Sequence, residues 1–257
     1  MTIELLNKDW ADFTEVLKKN GYALLQAANP KLVVTDKGAA DPNVIAAALY
    51  CRTLTHLDAV QILLKQGLIV EARTIVRNCF ENAFWLAAIA EPAEREEALR
   101  RLGDAELFTR HQIGQFAMQL RGDHGAQENA ALREAMRAFG GKKGASGPTP
   151  KDLSKLGQFR SAYLFYAEYS RDAHPTLHSL ARYLSRIEEA GQVFKCLDAC
   201  PAGRDGDEFT IQHACQAVLS AMFAANQIWE AGEGARLTRL AEEYSSLAGL
   251  GIVPAAD

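Results

Sequence analysis

The chain has 257 residues, 48% of them apolar and 23% charged, and a net charge of −4. This is the balance of a globular protein that can bury a sizeable core, and it excludes a general nucleic-acid coat, which needs a strong positive field. Met1-Thr2-Ile3-Glu4 lacks the basic start of a signal peptide, and apolar runs such as Ala83 to Ala90 fall far short of the ~20 residues of a membrane span. The expected location is the cytoplasm, with reduced thiols and no membrane partner.

Helical periodicity dominates from the start. A first helix is predicted over about Lys8 to Ala27, ended by Asn29-Pro30. A short extended piece, Leu32 to Thr35, leads into an Asp36-Lys37-Gly38 turn. Asp41 then caps a second helix with Pro42 in its first turn, running to Gly67.

The third helix, Ile69 to Ala90, divides into two halves at roughly 100° per residue. Ala72, Val76, Cys79, Phe80, Ala83 and Leu86 share an apolar half. Arg73, Arg77, Asn78, Glu81 and Asn82 share the polar half. Phe84 and Trp85 fall on the polar side, so another element is expected to cover it there.

A long charged helix is predicted from about Ala93 to Arg121, then a break at Gly122 to Gly125 and a shorter helix to Phe139. The run Gly140 to Pro150, GGKKGASGPTP, reads as a mobile loop. It is no phosphate-binding P-loop, because no Gly-Lys pair is followed by Ser or Thr. Two helices follow, about Lys155 to Arg171 and Pro175 to Ala190, the second burying Leu177, Leu180, Leu184 and Ile187. Residues 191–211 read as an irregular insertion, with a short hairpin around Gly203-Arg204-Asp205-Gly206. Helices at about Glu208 to Ala231 and Ala235 to Ala248 close the chain. The expectation is an all-α fold: one helical-bundle domain over residues 1–257, with about eight helices.

Five cysteines are scattered at Cys51, Cys79, Cys196, Cys200 and Cys215. Cys196, Cys200, His213 and Cys215 invite a zinc reading. His213 and Cys215, however, are two apart on a predicted helix, about 200° around, and do not converge on one ion. Neither a metal nor a cofactor is expected.

Chemistry-bearing residues gather in Tyr163 to His178, YLFYAEYSRDAHPTLH. Phe159, Tyr163, Tyr166 and Ser170 fall within a narrow helical arc, which reads as an aromatic core stripe edged with hydroxyls. Arg171, His174 and His178 follow across the helix junction. Each histidine reads either as a hydrogen-bonded boundary residue or as an acid–base group beside an arginine. On the third helix, Arg77 and Glu81 are spaced as an ion pair one turn apart.

Two resemblances bear on these residues. Leu68 to Arg73 and Ile75 to Glu81, with Tyr166, Ser170 and His174-Pro175, resemble a family of bacterial helical proteins catalogued as a domain of unknown function. That resemblance implies a binding site of Arg77, Glu81, Tyr166 and Ser170, with Arg77, Glu81 and His174 clustered. Arg171, Asp172 and His178 resemble the arginine-to-histidine signature of the HEPN superfamily. That resemblance implies a homodimer and metal-independent cleavage of RNA, as in a toxin or phage-defence effector. Arg171 and His178 or His174 would then be catalytic: histidine takes the 2′-hydroxyl proton and arginine stabilises charge on the phosphate.

Two readings of function therefore stand. One is a non-catalytic protein that binds a partner or a small anionic ligand; the alternative is a HEPN-like endoribonuclease. A basic surface around Arg171, Arg182 and Arg186 with Lys142, Lys143 and Lys151 would favour the nuclease. A buried, fully paired cluster would favour the binding protein.

Overall fold

The computed structural model of the chain describes residues 5–32, 35–36, 38–121, 130, 133–134, 149–156, 159–189, 192–197, 204 and 206–250. The fold is all-α, with nine α-helices among the described residues: α1 (Lys8–Ala28), α2 (Pro42–Lys65), α3 (Ile69–Ala90), α4 (Arg95–Arg121), α5 (Pro150–Leu156), α6 (Tyr163–Ala173), α7 (Leu177–Leu180), α8 (Thr210–Trp229) and α9 (Gly234–Leu247). One antiparallel hairpin interrupts them, β1 (Leu184–Glu189) with β2 (Gln192–Leu197).

Local chemistry sets the helix starts. Asn7 accepts the Trp10 N–H at 3.0 Å to cap α1, and Asp41 accepts the Asn43 N–H at 2.8 Å with Pro42 following. Gly67 ends the α2 turn at φ 73°, a left-handed conformation that costs glycine little. The predicted bounds of α1 to α4 agree with these elements to within two residues.

At the centre lie α3 and α8. The first is packed on by α2, α4, α5, α6 and α8, and from Asn82 to Ala90 every residue is buried. Phe84 and Trp85 are covered as their position required. Both central helices bury small residues, Ala83, Ala87 and Ala88 on α3 and Ala214, Ala217 and Ala221 on α8, and the two helices pack on each other. On the outside, α1 seats Phe13 and Leu17, and α9 seats Leu240 and Tyr244; Trp10 meets Tyr244 edge-on at 5.6 Å between centroids.

Three expectations change. The single helix from Lys155 to Arg171 is two helices: Phe159, at φ −103° and ψ 33°, leaves helical geometry, and a 3-10 turn at Arg160–Ala162 opens α6. Gly157, a poor helix former, lies in the sequence between them. The predicted helix from Pro175 to Ala190 stops after one turn and passes through a 3-10 turn (Ala181–Tyr183) into β1. Ala190-Gly191 separates two runs that carry Ile187, Val193 and Phe194, which is a hairpin signal. The hairpin is therefore here, with Leu184 opposite Leu197 and Ile187 opposite Phe194; of the run at 203–206, where the sequence predicts a hairpin, Gly203 and Asp205 lie outside the described residues. Finally, Leu177, Leu180 and Leu184 are exposed, while Ser179 and Arg182 from the same stretch are buried. Most of the residues predicted as a helix to Phe139, most of the 140–150 loop, Arg186's side chain and the side chains of Cys196 and Cys200 lie outside the described residues.

In α1, Gly21 is a contact position. A Cβ built there would meet Leu54 Cδ2 at 2.6 Å and Tyr50 Oη at 3.2 Å, and Tyr50 donates its hydroxyl to the Gly21 carbonyl at 3.0 Å. Alanine ordinarily stabilises a helix interior relative to glycine. Here Gly21→Ala is expected to destabilise the protein by about 1–3 kcal/mol through overpacking, read as a lower urea midpoint at unchanged slope.

Candidate functional site

The stretch that departs most from its apolar pattern holds the candidate site. Arg73 on α3, Asp172 at the end of α6, Arg182 in the 3-10 turn after α7 and Asp207 in the 3-10 turn before α8 meet in the interior. Their side chains are 5%, 0%, 5% and 1% exposed. Asp172 accepts from Arg73 Nε, and from Arg182 Nε at 2.8 Å. Asp207 accepts from Arg182 Nη1 at 2.9 Å and lies 3.4 Å from Arg73 Nη1. The four charges thus alternate around a closed ring, Asp172–Arg73–Asp207–Arg182. Burial pulls against the charge on Arg182, but the hydrogen bonds and charges of Asp207 and Asp172 outweigh it and hold the guanidinium more firmly protonated than usual.

The ring explains the failed apolar face. Arg182 is drawn inward by two carboxylates, so the short α7 turns its leucines to solvent. A capping box at Thr176 fixes that turn: Thr176 Oγ1 accepts the Ser179 N–H at 3.2 Å, and Ser179 Oγ accepts the Thr176 N–H at 3.0 Å. Ser179 Oγ also donates to the His174 carbonyl at 2.6 Å, and Thr176 Oγ1 donates to the Arg171 carbonyl at 2.9 Å.

Beside the ring lies a cavity of about 230 Å³. Arg73, Arg182 and Asp207 form part of its wall, with Tyr169, His178 and His213 around it and Arg204 also lining it. Arg73 lies over the Tyr169 ring, 4.5 Å from its centroid. The Tyr169 hydroxyl and His213 Nδ1 share a hydrogen bond at 2.7 Å. Burial, and then the charge of Arg73, push His213 down to about 4, so it is neutral at physiological pH. Burial likewise pushes the Tyr169 phenol up.

The sequence-predicted residues fall in two places. Arg171 is exposed, pairs with Glu168 at 3.0 Å and donates from Nη2 to His178 Nδ1 at 2.8 Å. His178 Nε2 lies 3.7 Å from Asp172. On another part of α3, Arg77 pairs with Glu81 at 2.9 Å and donates to the Tyr166 hydroxyl at 2.7 Å. Ser170 donates to the Tyr166 carbonyl at 2.8 Å. His174 does not join Arg77 and Glu81: its side chain is exposed, and among the described contacts it is the His174 carbonyl that is engaged. The contact expected between Arg77 and the end of α6 is made one turn earlier, by Arg73.

Family comparison bears on this arrangement. A model of a family of unknown function (DUF5677) matches residues 43–192, more than half of the chain. The chain belongs to this family. The DUF5677 match takes in Arg73, Arg77, Asp172 and Arg182, whereas Asp207 and His213 come from beyond it. No curated protein and no solved structure matches the chain.

Sequence reasoning missed the partnership of Arg73, Asp207 and Arg182. Arg73 sits on the polar half of α3, and the one signal was that Phe84 and Trp85 require a cover on that side.

Asp172→Ala leaves two guanidiniums buried against one carboxylate and is expected to cost about 3–5 kcal/mol in urea unfolding. For His213, the unfolded state takes a proton below the ordinary value of 6.5, while the folded state resists to about 4. Its contribution is full above pH 6.5 and is lost as pH falls toward 4, about 3 kcal/mol in all. His213→Phe should flatten unfolding free energy against pH across that window.

Proposed function

We propose that the protein is a non-catalytic binding protein whose ligand, a small anion, occupies the cavity beside the Arg–Asp ring. The supporting observation is the pairing itself. Arg73 and Arg182 are buried and held rigid by Asp172 and Asp207, as expected of a preorganised wall. Asp172 and Asp207 balance Arg73 and Arg182, and Glu168 pairs with Arg171 at 3.0 Å, so the lining guanidinium that offers its charge to an anion is that of Arg204. About 230 Å³ lies below the ~300–1,000 Å³ of sites for drug-sized molecules, which favours a ligand near the size of phosphate or a short carboxylate.

A second reading, a HEPN-like metal-independent endoribonuclease acting as a homodimer on RNA, has one observation in its favour: Arg171 and His178 are 2.8 Å apart. The protonation chemistry of that contact argues the other way. A guanidinium only donates, so His178 Nδ1 must accept and its proton must sit on Nε2, near Asp172. The lone pair a general base needs is already engaged. Arg182, moreover, is buried and paired and is not part of a basic surface.

Calorimetric titration with inorganic phosphate and with succinate tests the first reading. Saturable binding, weakened about tenfold by Arg204→Ala and unchanged by Arg77→Ala, is the expected result. No saturable heat with either anion overturns it. The second reading requires cleavage of single-stranded RNA in excess chelator, falling at least ~100-fold in His178→Ala and Arg171→Ala. An inert wild-type protein removes that alternative.

A further inference from the structure

We infer that α3 carries a second ligand site, separate from the junction cavity, for a small carboxylate bearing a flat apolar group. A cavity of about 250 Å³ lies among α2, α3 and α4. Its lining is chemically divided. Asn82, Arg77 and Arg52 bring hydrogen-bond donors; Trp85, Leu49 and Leu102 bring apolar surface.

The decisive group is Asn82. Its side chain lines the cavity although the residue is only 3% exposed, and its Nδ2 is buried with no hydrogen-bond partner. An unmet buried donor costs about 1–3 kcal/mol, and native interiors satisfy nearly all such groups. An amide left open in a cavity of this size calls for an acceptor from outside the chain.

Charge then selects the ligand. Glu81 neutralises Arg77 at 2.9 Å, and the remaining Arg77 contacts, to Asn78 at 2.9 Å and Tyr166 at 2.7 Å, fix its guanidinium in place. Arg52 has no ion-pair partner among the described residues, so the cavity keeps a net positive charge at its α2 side. A carboxylate satisfies Arg52 and the Asn82 amide together. Phosphate would also satisfy them but would leave Trp85, Leu49 and Leu102 facing a strongly hydrated ion. A flat apolar group attached to the carboxylate covers that wall instead.

The test is calorimetric titration of the full chain with benzoate, with toluene and benzamide as controls. Benzoate is expected to bind saturably at one site and to raise the Tm; benzamide should bind at least about tenfold more weakly, and toluene more weakly still. Arg52→Ala, at an exposed position, and Asn82→Ala should each weaken benzoate about tenfold or more. Should Asn82→Ala fail to fold, Arg52→Ala alone carries the test. Arg204→Ala should leave benzoate binding unchanged, and benzoate should not displace phosphate, so that this site and the junction cavity stand or fall separately. Absence of saturable benzoate binding, equal binding of benzoate and toluene, or full affinity in Arg52→Ala would each overturn the inference.

Discussion

Two arginines and two aspartates, buried together, are the constraint around which this fold is arranged. Taking four charges out of water is costly, and their attraction offsets that cost only when geometry is good and every donor has an acceptor. Those conditions admit one arrangement of four segments: the start of α3, the end of α6, the turn after α7 and the turn before α8. A shift of one turn in any of them would strand a buried charge. Apolar packing between α3 and α8 tolerates small slippage, since alanine surfaces are smooth; the ring does not. Its role in the fold is therefore registry more than net stabilisation.

The same constraint explains where sequence and structure part. In α1 to α4 and in α8 and α9, caps, periodicity and terminators agree, and the elements were legible to within a few residues. Between Gly157 and Asp207 the local signals point elsewhere. The leucines at 177, 180 and 184 have helical spacing and would make an ordinary amphipathic face. They are overruled because Arg182 has two carboxylates to reach, one of them from beyond the hairpin. No window of local sequence contains both partners, so no periodicity count could find them. The expected contact between α3 and the end of α6 had the right elements and the wrong turn, Arg77 in place of Arg73.

On α3 the polar half is not a solvated face, although its composition is that of one. Arg73 and Asn82 on it are 4% and 3% exposed. The first is buried and fully paired; the second is buried and open. Each lines its own cavity, one toward α6 and α8, the other toward α2 and α4. A central helix that is polar on a covered side is a poor choice for stability alone, and it is the place where a helical protein of this kind can hold a ligand on a rigid support.

The family match stops at residue 192, but the ring does not close without Asp207. The segment that the family model matches and the segment that closes the ring are thus different lengths of chain. A fragment cut at the family boundary would keep both arginines and lose one of their two carboxylates, together with α8, against which α3 packs. Transplanting the matched segment alone into another scaffold would carry over an uncompensated interior cation. The portable module is the one that extends through α8.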